Sequence, residues 1–188
     1  MSNIKRMAVT AMLIGAGIVL PMLFHIIPAG LGGRTLLPMH IPVLLAGLIA
    51  GPFYGFFAGL ITPLLSSMTT GMPAAGPVLY RMMAELSVYG AVAGIAMHFI
   101  RTKRTTLDLY ISLITAMILG RIVAGIVGAF MLFGGETFAL GLWVAGYFTT
   151  SLPGIVLQLI LIPIIVITLE RAKLIPLRYP KPKTEGSK

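Results

Sequence analysis

The stretch LPMHIPVLLAGLIAGPFYG, Leu37 to Gly55, sets a histidine between two prolines at the head of an uncharged apolar run, breaks at Gly51-Pro52 and begins again. In a water-soluble fold His40 would be a candidate catalytic or metal-binding residue. In a membrane the run is a span and the histidine its polar mouth. Composition decides between them. Of 188 residues 57% are hydrophobic and only 10% charged, the mean hydropathy is +0.99, and a soluble domain carries about 25% charged residues. Residues 7–33, 35–80 and 137–169 contain no Asp, Glu, Lys or Arg. A helix needs about 20 apolar residues to cross a bilayer, so these gaps read as membrane spans.

Two other readings of the same composition fall away. Lys5 and Arg6 precede the first apolar run as in a signal peptide, but the run is longer than a signal core and lacks a clear small-x-small cleavage site. The formal charge of +9 could suggest nucleic acid, yet that needs a basic face on a folded domain, and here the basic residues gather at span edges. The chain has no cysteine, which removes disulfides, thiolate metal sites and a cysteine nucleophile.

Apolar runs and breakers together predict an all-α integral membrane protein with six transmembrane helices, near 7–28, 39–51, 53–71, 77–100, 107–133 and 143–169. The second is short: about 13 residues rise only ~20 Å, against a ~30 Å hydrocarbon core. It must be tilted or protected by its neighbours. Gly51 permits an unusual backbone conformation and Pro52 can begin a helix, so a tight helical hairpin is expected there. Lys5 and Arg6, then Arg101, Lys103 and Arg104, then Arg171, Lys173, Arg178, Lys181, Lys183 and Lys188 all fall on one side, with Arg34 on the other. The positive-inside rule makes that side, with both termini, cytoplasmic, in a multi-pass protein of the cell membrane. Residues 1–170 form a single six-helix domain. Residues 171–188 are expected to be a disordered basic tail beside the anionic leaflet. No repeat of 20–50 residues is evident.

Catalytic motifs are missing from the sequence. There is no Walker A pattern, no H-E-x-x-H, no G-x-S-x-G and no acidic metal cluster, so neither an enzyme nor a resident cofactor is expected. A metal role for His40 is disfavoured because His25 and His98 belong near opposite faces. Ionisable residues inside a membrane are costly and default to functional hypotheses. Arg81 and Glu85, spaced i and i+4 on the fourth helix, face one way and can pair, and Tyr89 extends that stripe. Arg121 lies in the outer half of the fifth helix with no acidic residue close in sequence. Either these form a buried staple and a backbone-bonded arginine, or at least one arginine touches a ligand, which an anion or strong acceptor would suit. Thr62, Ser66 and Thr69 or Thr70 line one side of the third helix. Tyr147, Ser151 and Gln158 do the same on the sixth. Such stripes serve as interhelical glue or, concentrated toward the outside, line a cavity. The candidate substrate-binding residues are thus His40, Arg81, Glu85, Tyr89, Arg121, Tyr147, Ser151 and Gln158. On the first helix Ala8, Ala11 and Gly15 form a small-residue track, suited either to packing within the bundle or to docking a partner.

The six-span layout, the small residues of the first helix, the block MHIPVLLAGLIAGPFYGFFAGLITPLLSS (residues 39–67) and the following TGMP loop together resemble the substrate-binding S components of energy-coupling factor (ECF) transporters, over about residues 5–170. The resemblance implies a membrane-embedded subunit that captures a water-soluble vitamin or related micronutrient from outside, beneath the loops joining spans one to two, three to four and five to six. It also implies partners: a transmembrane coupling protein and two ATPases, which agrees with the lack of a nucleotide motif here. The family's first-helix A-x-x-x-A coupling motif maps imperfectly, with Ala11 and Gly15 four apart and Ala8 one turn earlier. Pantothenate, pyridoxine, riboflavin and a queuosine precursor are all compatible substrates. A self-sufficient oligomeric secondary transporter, with Glu85 carrying protons, is the alternative, and a small lipid-modifying membrane enzyme a third.

Overall fold

The described parts of the charge-free runs are largely helical, and the Gly51-Pro52 break falls between two helices. In the computed structural model residues 1–25, 33–131, 149, 151–176 and 179 are described. They form α1 (Asn3–His25), the single turn α2 (Gly33–Leu36), α3 (His40–Ala50), α4 (Pro52–Thr70), α5 (Pro77–Phe99), α6 (Thr105–Met131) and α7 (Leu152–Arg171), with no strand among them. The start of the sixth predicted span, with Tyr147, lies outside the described residues, as do Glu136 and most of the tail. Helices α1, α5, α6 and α7 are long and apolar enough to cross a membrane.

Polarity is arranged for lipid. Large apolar side chains stand exposed at Ile114, Ile118, Ile122, Ile126 and Phe130 of α6 and at Leu152, Val156, Ile160 and Ile164 of α7, while Glu85, Asp108, Arg121 and Gln158 are buried. Repeats near one turn put those apolar residues in stripes along the outside. Water would penalise such stripes, and a bilayer solvates them.

The short second span is accommodated by depth. α3 has 11 residues, about 16 Å of rise, and nearly all of it is buried against α1, α4 and α5. Its first residue is not at the surface of the bundle: His40 is 2% exposed and lies beside Glu85, eight residues or about 12 Å along α5 from that helix's N-terminal end. Residues 33–39 fill the level above, where Gly154 of α7 admits the backbone of Thr35 and Leu36. At the other end Gly51, at φ 108°, turns the chain and Pro52 opens α4, as the sequence predicts.

Helices α3, α4 and α5 meet through glycine. A side chain at Gly90 would collide with the backbone of Gly55, one at Gly47 or Gly55 with the carbonyl of Gly90, one at Gly59 with the backbone of Leu86, and one at Gly94 with Pro52. Gly47, Gly51, Gly55 and Gly59 recur every four residues, as do Gly90 and Gly94. This is the spacing that lets membrane helices approach to backbone contact.

At the end carrying the basic loops, Asp108 in the first turn of α6 is fully buried. Its Oδ1 accepts from the Thr102 amide (2.9 Å) and hydroxyl (2.7 Å), and its Oδ2 accepts from the Tyr179 hydroxyl (2.6 Å). The Tyr179 oxygen in turn accepts from the Lys103 amide at 3.2 Å. Tyr179 thereby ties the segment after α7 to the loop between α5 and α6. Hydrogen bonds to charged groups contribute about 1.5–3 kcal/mol, so Tyr179→Phe is expected to lower thermal stability in detergent, and hydrogen exchange should rise first at the amides of Thr102 and Lys103.

Candidate functional site

Four helices and the residue before α7 bury six of the eight candidate residues: His40, Glu85, Tyr89, Arg121, Ser151 and Gln158. The imidazole Nε2 of His40 lies 3.8 Å from Glu85 Oε1, beyond hydrogen-bonding distance, and the His40 ring stands edge-on to Tyr89 with centroids 5.3 Å apart. Neither nitrogen of His40 has a hydrogen-bond partner among the described residues. A buried polar group left so costs about 1–3 kcal/mol, which marks it as a position where a ligand or water completes the structure.

The Tyr89 ring packs on α6 at Gly120, where any side chain would overlap it. The next residue, Arg121, is 3% exposed and donates through a guanidinium nitrogen to Ser151 Oγ at 3.2 Å. Ser151 immediately precedes α7. Two turns into that helix Gln158, 1% exposed, reaches the Leu37 carbonyl at 3.5 Å. Arg121 also borders a cavity of about 250 Å³ between α6 and α7, whose other walls are Ile114, Met117, Ile118, Ile155 and Leu159. A larger cavity, about 680 Å³, lies at the opposite end of α7, away from these groups.

Several expectations shift. The ion pair of Glu85 runs across to His40 of α3, not along its own helix to Arg81; Arg81 extends toward α6, where its side chain lies beside Gly128. Spacing of i and i+4 made the first pairing possible, but a buried partner on the facing helix is the one Glu85 meets. His40, expected at the outer mouth, lies inside the bundle. On α4 the hydroxyl stripe is spent on backbone: Ser66 donates forward to the Met72 carbonyl in the loop after the helix, while Thr62 donates back to the Ala58 carbonyl, Thr69 to Leu65 and Thr70 to Ser66. Such back-bonding needs no ligand. Thr62 is instead a packing residue, its methyl close to Gly17 of α1.

Ala8, Ala11 and Gly15 are all exposed, and nothing approaches the position of a side chain at Gly15. The small residue that α1 uses within the bundle is Gly17. Among the described residues no group of three or more His, Asp or Glu could hold a metal ion.

Asp108 was missed as a structural centre, although its signal is visible: it is the lone acid at the start of an apolar run, behind the basic loop 101–104.

Residues 5–166 match the family model described as ECF transporter, substrate-specific component. Searches of curated proteins and of solved structures gave no match.

Proposed function

The chain belongs to the substrate-specific components of ECF transporters, and from that premise we propose that it captures a water-soluble vitamin or related micronutrient from outside the cell, for ATP-driven uptake by a transmembrane coupling protein and two ATPase subunits. His40, Glu85, Tyr89, Arg121, Ser151 and Gln158 are the residues assigned to the ligand, together with Arg81 and Tyr147. The buried, incompletely bonded His40 beside a carboxylate supports this most directly. A polar solute offering a donor to Glu85 and an acceptor to His40 or Arg121 would complete hydrogen bonds that the protein leaves open. Pantothenate, pyridoxine, riboflavin or a queuosine precursor each carries such groups. Both ends of the bundle's chain are placed in the cytoplasm by the positive-inside rule.

Ala8, Ala11 and Gly15 are assigned to docking the coupling protein. Their exposure on a lipid-compatible helix supports a surface held ready for another helix, since close helix approach in a membrane depends on small side chains. Ala11→Trp is expected to abolish ATP-driven uptake in cells and co-purification of the coupling subunits, while the isolated subunit still binds its vitamin in detergent. Retained uptake would remove the docking role.

A further inference from the structure

A cavity at the far end of α7 has no part in the proposed capture of a solute. It measures about 680 Å³ and lies between the first turns of α1 and the segment that follows α7, with Lys5 and Lys173 on its wall beside Ser2, Val9, Ile175 and Pro176. Among the described residues that line it there is no carboxylate.

The backbone that presents both lysines is fixed. Beyond the C-terminus of α7 the Lys173 amide donates to the Glu170 carbonyl and the Leu174 amide to that of Leu169, with Lys173 itself at φ 58°. Ile175 then packs against the main core, turning the segment back under the bundle. Across the gap the Arg6 amide donates to the Ser2 carbonyl, which holds the first turn of α1. Two lysines therefore border a space whose other walls are Met1, Ser2 and the apolar Ala8, Val9, Leu174, Ile175 and Pro176. It lies at the end of the bundle that also carries Arg101, Lys103, Arg104 and Arg171.

We infer that this cavity is a binding site for the phosphate headgroup of an anionic membrane lipid, such as phosphatidylglycerol, with Lys5 and Lys173 holding the phosphate and Val9, Ile175 and Pro176 covering the glycerol and the start of the acyl chains. The volume falls within the ~300–1,000 Å³ of small-molecule sites. Basic pockets at the ends of membrane helices on the cytoplasmic side recognise anionic headgroups through charge that falls off within a Debye length. A free phosphate ion would satisfy the lysines and leave the apolar walls uncovered, whereas a lipid uses both. Ala8 also lines the cavity, so the lipid would sit beside the proposed docking track. The site itself requires no docking.

The isolated subunit in detergent tests this by native mass spectrometry and thermal unfolding, with phosphatidylglycerol or phosphatidylcholine added. Wild type is expected to retain one phosphatidylglycerol and unfold at a higher temperature with it, and to show neither effect with phosphatidylcholine. Lys5→Gln with Lys173→Gln should reduce retention about 10-fold and erase the shift, and the charge-keeping Lys5→Arg with Lys173→Arg should restore both. Equal retention in the glutamine variant, or equal retention of the two lipids, would overturn the site. Inorganic phosphate at low millimolar concentration should not compete; competition by it would overturn the lipid in favour of a free anion.

Discussion

Gly90→Leu is expected to yield no monodisperse protein in mild detergent, while Gly15→Leu, on the exposed side of α1, is expected to leave the purified fold intact. The difference follows from what each side chain would meet. At Gly90 it would enter the backbone of Gly55, and α3, α4 and α5 join at this point, so the strain cannot be relieved by a rotamer change. At Gly15 there is open space. Overpacking a closed contact costs about 1–3 kcal/mol when neighbours can shift, and Gly90→Ala should fall in that range, read as a lowered unfolding temperature. Leucine adds three further carbons against fixed backbone. A stable, monodisperse Gly90→Leu variant would mean that the three helices do not pack through glycine.

Glu85→Ala is expected to weaken vitamin binding about 10- to 100-fold in calorimetric titration of the purified subunit. That range corresponds to the loss of about 1.5–3 kcal/mol from a hydrogen bond to a charged group. Glu85 is 5% exposed and stands 3.8 Å from a histidine whose nitrogens have no hydrogen bond among the described residues, so a ligand donor meeting this carboxylate would be bonded to a charged acceptor inside the bundle. Should affinity stay unchanged while the unfolding temperature falls, Glu85 and His40 form a structural pair and are removed from the ligand site.

How far the sequence could be read depends on whether the deciding contact lies within one helix or between two. The described helices and the Gly51-Pro52 hairpin depend on local pattern, and they were legible. The depth of α3 was not, because a short apolar helix states only that it needs protection, and the protection comes from residues 33–39 and from α5. Pairing of Glu85 with His40 failed for the same reason: i, i+4 spacing is visible in one dimension, and the facing helix is not. Back-bonding by Thr62, Thr69 and Thr70 shows that a hydroxyl stripe has two equivalent explanations until helix backbone and neighbours are placed. The recurrence of glycine at 47, 51, 55 and 59 and at 90 and 94 was available in the sequence. It marks the main helix junction more strongly than the small residues of α1, which face outward. Tyr179 illustrates the opposite limit, since nothing local in a proline-rich basic tail points to Asp108, 71 residues away.

The most direct test of capture by the buried polar region is to purify the subunit from cells in mild detergent and identify, by mass spectrometry, the small molecule released on denaturation. A near-stoichiometric water-soluble vitamin or micronutrient is predicted for wild type, and its loss from Arg121→Met and Glu85→Ala preparations that remain monodisperse. Equal retention in all three preparations, or no water-soluble metabolite from wild type even after incubation with vitamin mixtures, would contradict the account.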